Sequence, residues 1–231
     1  CGNPEAKVKS ILLAIDITEE VIDEAISEGH NLILSHHPLI FQGIKNLLPD
    51  TYIKRCLIKA VRHDLNIYSA HTNLDAVIHG VSGRMADKLG LVNQKILETA
   101  GKLFSLTFYT PTASAEKVRM AVLNCGGGHI GNYSHCSFNN QGKGTFLAQP
   151  GSHPYTGEIG QLHTESEIKT EITIPDYLLN KCIQTLKAVH PYEEPIWNVI
   201  CLENTNPVTG FGIIGELPEA IPIPDKRNFW L

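Results

Sequence analysis

The stretch VKSILLAIDITEEVIDEAISEGHNLILSHHP, residues 8–38, decides the fold class. It opens on an apolar run, Val8–Ile15, of the right length for a buried strand. Asp16 or Thr18 can cap the segment that follows, and Glu19 and Glu20 suit the positive end of a helix. Val21, Ile22, Ala25 and Ile26 then recur at helical spacing, and Gly29 is a natural stop. Asn31–Leu34 is a second apolar run, ended by Pro38. Further out, Thr51–His63 predicts a helix with Ile53, Leu57, Ile58 and Val61 on one face. Asn66–Ala70 predicts a third strand, and Val81–Leu89 a helix stopped at Gly90. Strands without a polar face, alternating with helices, predict a parallel sheet covered on both faces.

The texture changes near Thr99-Ala100-Gly101. Leu103–Tyr109 alternates like a half-exposed strand, and Ser114 can cap a helix that ends at Gly126-Gly127-Gly128. Gly131–Gln149 is rich in Gly, Asn and Ser and reads as strands with a loose loop. Glu167–Ile174 alternates again, Pro175 opens a helix to about Val189, and Ile196–Leu202 is a further strand. Two such βαβ halves predict a ferredoxin-like split βαβ sandwich.

Composition bounds the function. The 231 residues are 42% hydrophobic and 19% charged, which suits a globular chain with a real core. The net charge of −5 argues against a non-specific grip on nucleic acid, and no apolar run approaches a membrane span. Six cysteines lie scattered with no CxxC pair and no secretory signal ahead of them, which predicts a reducing, cytoplasmic setting. The chain starts at Cys1 and stops in a mixed stretch from Lys226 to Leu231, which predicts a piece of a longer protein.

Eleven histidines direct attention to three places. Ser35-His36-His37-Pro38 follows a buried strand directly, where ligands bind in open α/β sheets. In the turn before Pro38 both imidazoles can point inward and each can serve a metal ion, or both can simply bond to backbone. His71-Thr72-Asn73-Leu74-Asp75 holds the equivalent place one unit later. There Asp75 can bridge cations, with His71 as a ligand or supporting partner, or Asn73 or Asp75 can merely cap a helix. His190-Pro191-Tyr192-Glu193-Glu194-Pro195 joins a helix to a strand. His190 and the glutamates can reach into a cleft, but the prolines and acids favour a stiff solvated corner. Asp16, at the end of the first strand, can face the same site, though capping is its expected role.

The stretches ILLAIDIT, EEVIDEAISEGHNLILSHHPLIFQGIKNL and IYSAHTNLDAVIHGVSGRMADKLGL resemble two motifs of a dinuclear-metal-binding family named for the yeast Ngg-interacting factor. Its members often carry the label GTP cyclohydrolase I type 2 homologue. SHCSFNNQGKGTFLAQPGSHPYTGEIGQL and VHPYEEPIWNV resemble the inserted middle domain of its long bacterial members. The resemblance implies a parallel-sheet α/β core, begun by residues 1–100 and resumed from 205–231. It implies an inserted ferredoxin-like, PII-like α+β domain over 101–204. By motif match, His36, His37 and Asp75 are the expected ligands of two divalent ions, of zinc, manganese or iron. The family completes its site with a C-terminal His and Glu in a GHxxSE-like motif that is absent here. The resemblance further implies a homohexameric ring and a metal-dependent hydrolase acting on a nucleotide-like or other small substrate; among the residues themselves His71 is the best acid–base candidate. A non-catalytic metal-dependent ligand-binding or regulatory protein is the alternative.

Overall fold

The structure is a computed structural model that describes residues 1–220. The chain divides into two compact units: Cys1–Leu97 with the residues from Phe211 onward, and Glu98–Gly210. Residues 221–231, the end of the expected return to the core, lie outside the described residues.

The first unit begins with β1 (Ile11–Ala14), α1 (Glu19–Ser27), β2 (Leu32–Ser35), α2 (Tyr52–Arg62) and β3 (Asn66–Ser69). The three strands lie in the order β1-β2-β3, both pairs parallel. Two successive crossovers of one hand place both helices on the same face. There Ile22 and Ala25 of α1 and Cys56, Leu57 and Ala60 of α2 pack with Ile33 and Ile67. Thr18 caps α1 by accepting from the Val21 N–H. The α2 stripe is Ile53, Cys56, Leu57 and Ala60, the i, i+3, i+4, i+7 set. Val61 was expected on that face but stands 66% exposed, one step around the helix.

The expectation of a sheet covered on both faces is not met among the described residues. Ile11, Leu13, Ile15 and Tyr68 are all exposed. After β3 come a single helical turn, α3 (Thr72–Asp75), and α4 (Val81–Lys88), which ends before Gly90 in the left-handed conformation. β4 (Val92–Thr99), unforeseen in the sequence, pairs with a strand more than 100 residues later.

The second unit runs β5 (Lys102–Pro111), α5 (Ala115–Asn124), β6 (Phe138–Leu147), β7 (Leu162–Pro175), α6 (Asp176–Val189) and β8 (Trp197–Thr205). β9 (Gly210–Glu216) then closes on β4. The four-stranded sheet has the order β6-β7-β5-β8, with every neighbour antiparallel. This βαββαβ order is that of the split βαβ sandwich. The molecule is thus mixed α/β, with one parallel sheet and antiparallel sheets. Leu106 and Phe108 of β5 and Ile172 and Ile174 of β7 meet Val118, Val122, Cys182 and Leu186 of the two helices. Two sequence expectations change here. Ser114 makes no side-chain cap bond to α5. β5, expected half-exposed, is largely buried because it sits between β7 and β8.

Candidate metal centre

The parallel register positions the site. Ala14, Ser35 and Ser69 lie on one rung, each the last residue of its strand. Asp16, His36, His37 and His71 follow within two residues, so all four emerge at one sheet edge. The backbone there is tied down. The His36 and His37 N–H groups donate to Ala14 O and Ile15 O, at 3.2 and 2.9 Å, and Ala70 N–H donates to Ser35 O at 2.8 Å. Ser35 Oγ donates to His37 O at 2.9 Å and lies 2.7 Å from Ser69 Oγ.

The imidazoles of His36, His37 and His71 converge. Their ring centroids are 4.9, 5.1 and 5.7 Å apart. One ligand atom from each lies within 4.8 Å of the others. His36 Nδ1 lies 2.9 Å from Ala70 O, a carbonyl that can only accept. The proton is therefore on Nδ1, and the Nε2 lone pair is free. That Nε2 lies 3.8 Å from Asp75 Oδ1. His37 Nδ1 lies 2.8 Å from Asp16 Oδ1, so its Nε2 is freed in the same way. A carbonyl and a carboxylate behind ligand imidazoles orient the rings and raise their basicity. Three imidazole nitrogens this close suit a divalent transition metal; Asp75 borders the group at His36 and is not one of the three mutually close donors.

Asp75 reaches this edge because α3 turns the chain straight after His71. Leu74 and Asp75 N–H both donate to His71 O, at 2.8 and 3.1 Å. Gly80 packs against that turn so closely that a Cβ would lie 1.7 Å from Leu74 O. Neither side chain expected to cap the next helix does so: Asn73 and Asp75 lie inside α3, and α4, with Gly80 at its N-cap, has no side-chain cap bond. Of the two roles open to Asp16, the expected cap falls to Thr18, and Asp16 faces the site and holds His37.

The chain matches the family model Duf34/NIF3 (NGG1p interacting factor 3) over residues 1–228. The chain belongs to this family. A Halalkalibacterium halodurans protein named GTP cyclohydrolase 1 type 2 homolog is 41% identical over 226 residues, 97% of this chain and 61% of that protein. A Bacillus subtilis protein of the same name is 35% identical, over 99% of this chain and 62% of its own length. The chain therefore spans about three-fifths of these curated relatives. Among solved structures, a Bacillus cereus protein related to NIF3 has a TM-score of 0.75 at 40% identity, covering 94% of this chain and 58% of that one. A Staphylococcus aureus protein follows with a TM-score of 0.61 at 29% identity, over 97% of this chain and 58% of its own.

The third stretch marked in the sequence lies in the second unit. His190 is buried: its Nε2 donates to Tyr109 O at 2.9 Å, while its Nδ1 accepts from Tyr192 N–H at 3.1 Å. Burial holds this imidazole below the usual histidine range, against the pull of the Tyr109 carbonyl. Both nitrogens are spent on backbone, so His190 braces the turn. No helix among the described residues is long and apolar enough to cross a membrane.

Proposed function

We propose that His36, His37 and Asp75, with His71, form the protein's side of a centre for two divalent ions serving a metal-dependent hydrolase. The convergence of three imidazoles, two with Nδ1 engaged from behind, carries this reading. Zinc, manganese and iron all suit the donor set. His36 and His37 would each anchor an ion, and Asp75 would bridge them. A divalent ion supplies Lewis acidity toward a carbonyl, phosphoryl or ring carbon. His71 stands with the ligands and is the acid–base candidate of this reading. The relatives' name points to a nucleotide-like or other small substrate. The antiparallel unit is taken as a PII-like insert in the α/β core. The exposed row Ile11, Leu13, Ile15 and Tyr68 supports further burial, in keeping with a homo-oligomer and, by resemblance, a hexamer.

Elemental analysis, with turnover of guanine nucleotides and phosphoesters in added zinc, manganese or iron, tests the proposal. His36→Ala and Asp75→Ala are expected to lose metal and turnover together, while Glu193→Ala keeps both. Loss of turnover with metal retained in His71→Ala marks His71 as the proton carrier; joint loss marks it as a ligand. Equal metal content in Asp75→Ala and the parent chain sinks the assignment. Tight metal-dependent binding of a nucleotide without turnover favours the regulatory alternative.

A further inference from the structure

The second unit holds a cavity of about 640 Å³, within the range of small-molecule sites. It lies on the sheet face turned away from α5 and α6. On β7 the helix-facing residues are Thr170, Ile172 and Ile174, so Glu167 and Lys169 project the other way. Tyr109 alternates with Phe108 on β5, and Asn198 with Trp197 and Val199 on β8. All four line the cavity.

Its lining has two chemical features. The first is aromatic. Tyr192 has its ring centroid 6.2 Å from those of both Phe146 and Tyr155, and Tyr109 completes the set. The second is a surplus of negative charge, Glu167, Glu193 and Glu194 against Lys143 and Lys169. Tyr192 Oη donates to Glu167 Oε1 at 2.9 Å, and His153 N–H donates to Glu193 Oε1 at 3.0 Å. Glu194 lines the same space. Among the described residues none of these three carboxylates has a Lys, Arg or His within ion-pair distance, whereas Lys169 is spent on Glu171 at 2.8 Å. Among the described residues Lys143 is the lining Lys or Arg without such a partner.

Carboxylates repel phosphates, and π faces attract cations. A bare metal ion is a poor fit, because among the described residues only the His36, His37 and His71 group brings three donor atoms within 4.8 Å. We propose that this cavity binds a small organic cation, an amine or guanidinium on an apolar body. Its charged head sits at Glu167, Glu193 and Glu194, and its body lies against the Tyr109, Phe146, Tyr155 and Tyr192 rings. This site is separate from the imidazole cluster and does not rest on the metal reading.

Titration calorimetry of the whole chain tests it with phenethylammonium and agmatine, against neutral phenethyl alcohol and adenosine monophosphate. Both cations are expected to bind at least about tenfold tighter than the alcohol, and the nucleotide not to compete. The double variant Glu193→Gln, Glu194→Gln should weaken phenethylammonium about tenfold, and Tyr155→Leu about threefold. Tyr155 is exposed, so its replacement leaves the fold intact, which circular dichroism verifies. Asp75→Ala should leave cation binding unchanged. Equal affinity for ammonium and alcohol, tighter binding of the nucleotide, or indifference to all three substitutions overturns the proposal. So does a cavity covered by a second copy, seen in sedimentation as an oligomer that Tyr155→Leu dissociates and that binds no cation.

Discussion

Removing the carboxylate behind His37 separates ring orientation from direct ligation. Asp16 Oδ1 lies 2.8 Å from His37 Nδ1, so Asp16→Ala takes away the group that fixes the tautomer. Supporting partners of this kind are typically worth about 10–100-fold in metal affinity. The pair is open to water, with the His37 side chain 50% and the Asp16 side chain 66% exposed. Solvent screens the charge and can replace the acceptor, so the low end applies: about tenfold, or about 1.4 kcal/mol. Asp16→Asn should fall between, because the amide oxygen still accepts. Helix α1 is unaffected, since Thr18 caps it, so the thermal midpoint should not move. Competition for zinc with a chromogenic chelator gives the affinities, with His37→Ala as the reference for loss of a ligand. The reasoning fails if Asp16→Ala binds zinc as tightly as the parent chain, or as poorly as His37→Ala.

Two further outcomes follow from burial. His190 is held neutral in the fold while the unfolded chain protonates near pH ~6.5, so the unfolded state binds more protons below that value. Its contribution to stability is complete above about pH 6.5 and is lost as pH falls toward the depressed folded value. Urea midpoints between about pH 7 and about pH 5 should show this slope, and His190→Gln should flatten it; an identical slope in both chains contradicts the account. Thiol labelling should divide the cysteines by burial: Cys1 and Cys201 are exposed, whereas Cys56 and Cys182 are buried. Desolvation, with Cys125 beside it, pushes the Cys182 thiol up to about 12, so it should label only after unfolding. Labelling of Cys182 as fast as Cys201 would show the helix packing to be wrong.

Much of the fold was legible because apolar spacing reports burial directly. The strands around Leu13, Ile33 and Ile67 and the helices over 19–27 and 176–189 stood out in this way. Val92–Thr99 did not, since only Ile96 is buried there and its partner strand lies far along the chain. Phe138–Leu147, with its glycines and asparagines, is a strand through its ten-residue ladder to β7 rather than through propensity. The candidate site was visible as histidines immediately after strands. That position marks a sheet edge, but it carries no information on which ring meets which carboxylate. Asp16 illustrates the limit: an acid before a helix looks like a cap whether or not it turns back to an imidazole. Tyr192, Glu193 and Glu194 show the converse, since the stiff corner read from their prolines also lines a cavity.

The rung shared by Ala14, Ser35 and Ser69 has a bearing on how this protein can vary. Adding or deleting one residue between a strand end and its histidine would swing that imidazole to the opposite side of the chain and empty its corner of the cluster. Natural length changes should therefore accumulate beyond Pro38 and beyond Asp75, leaving three very short connectors as the least elastic parts of the molecule.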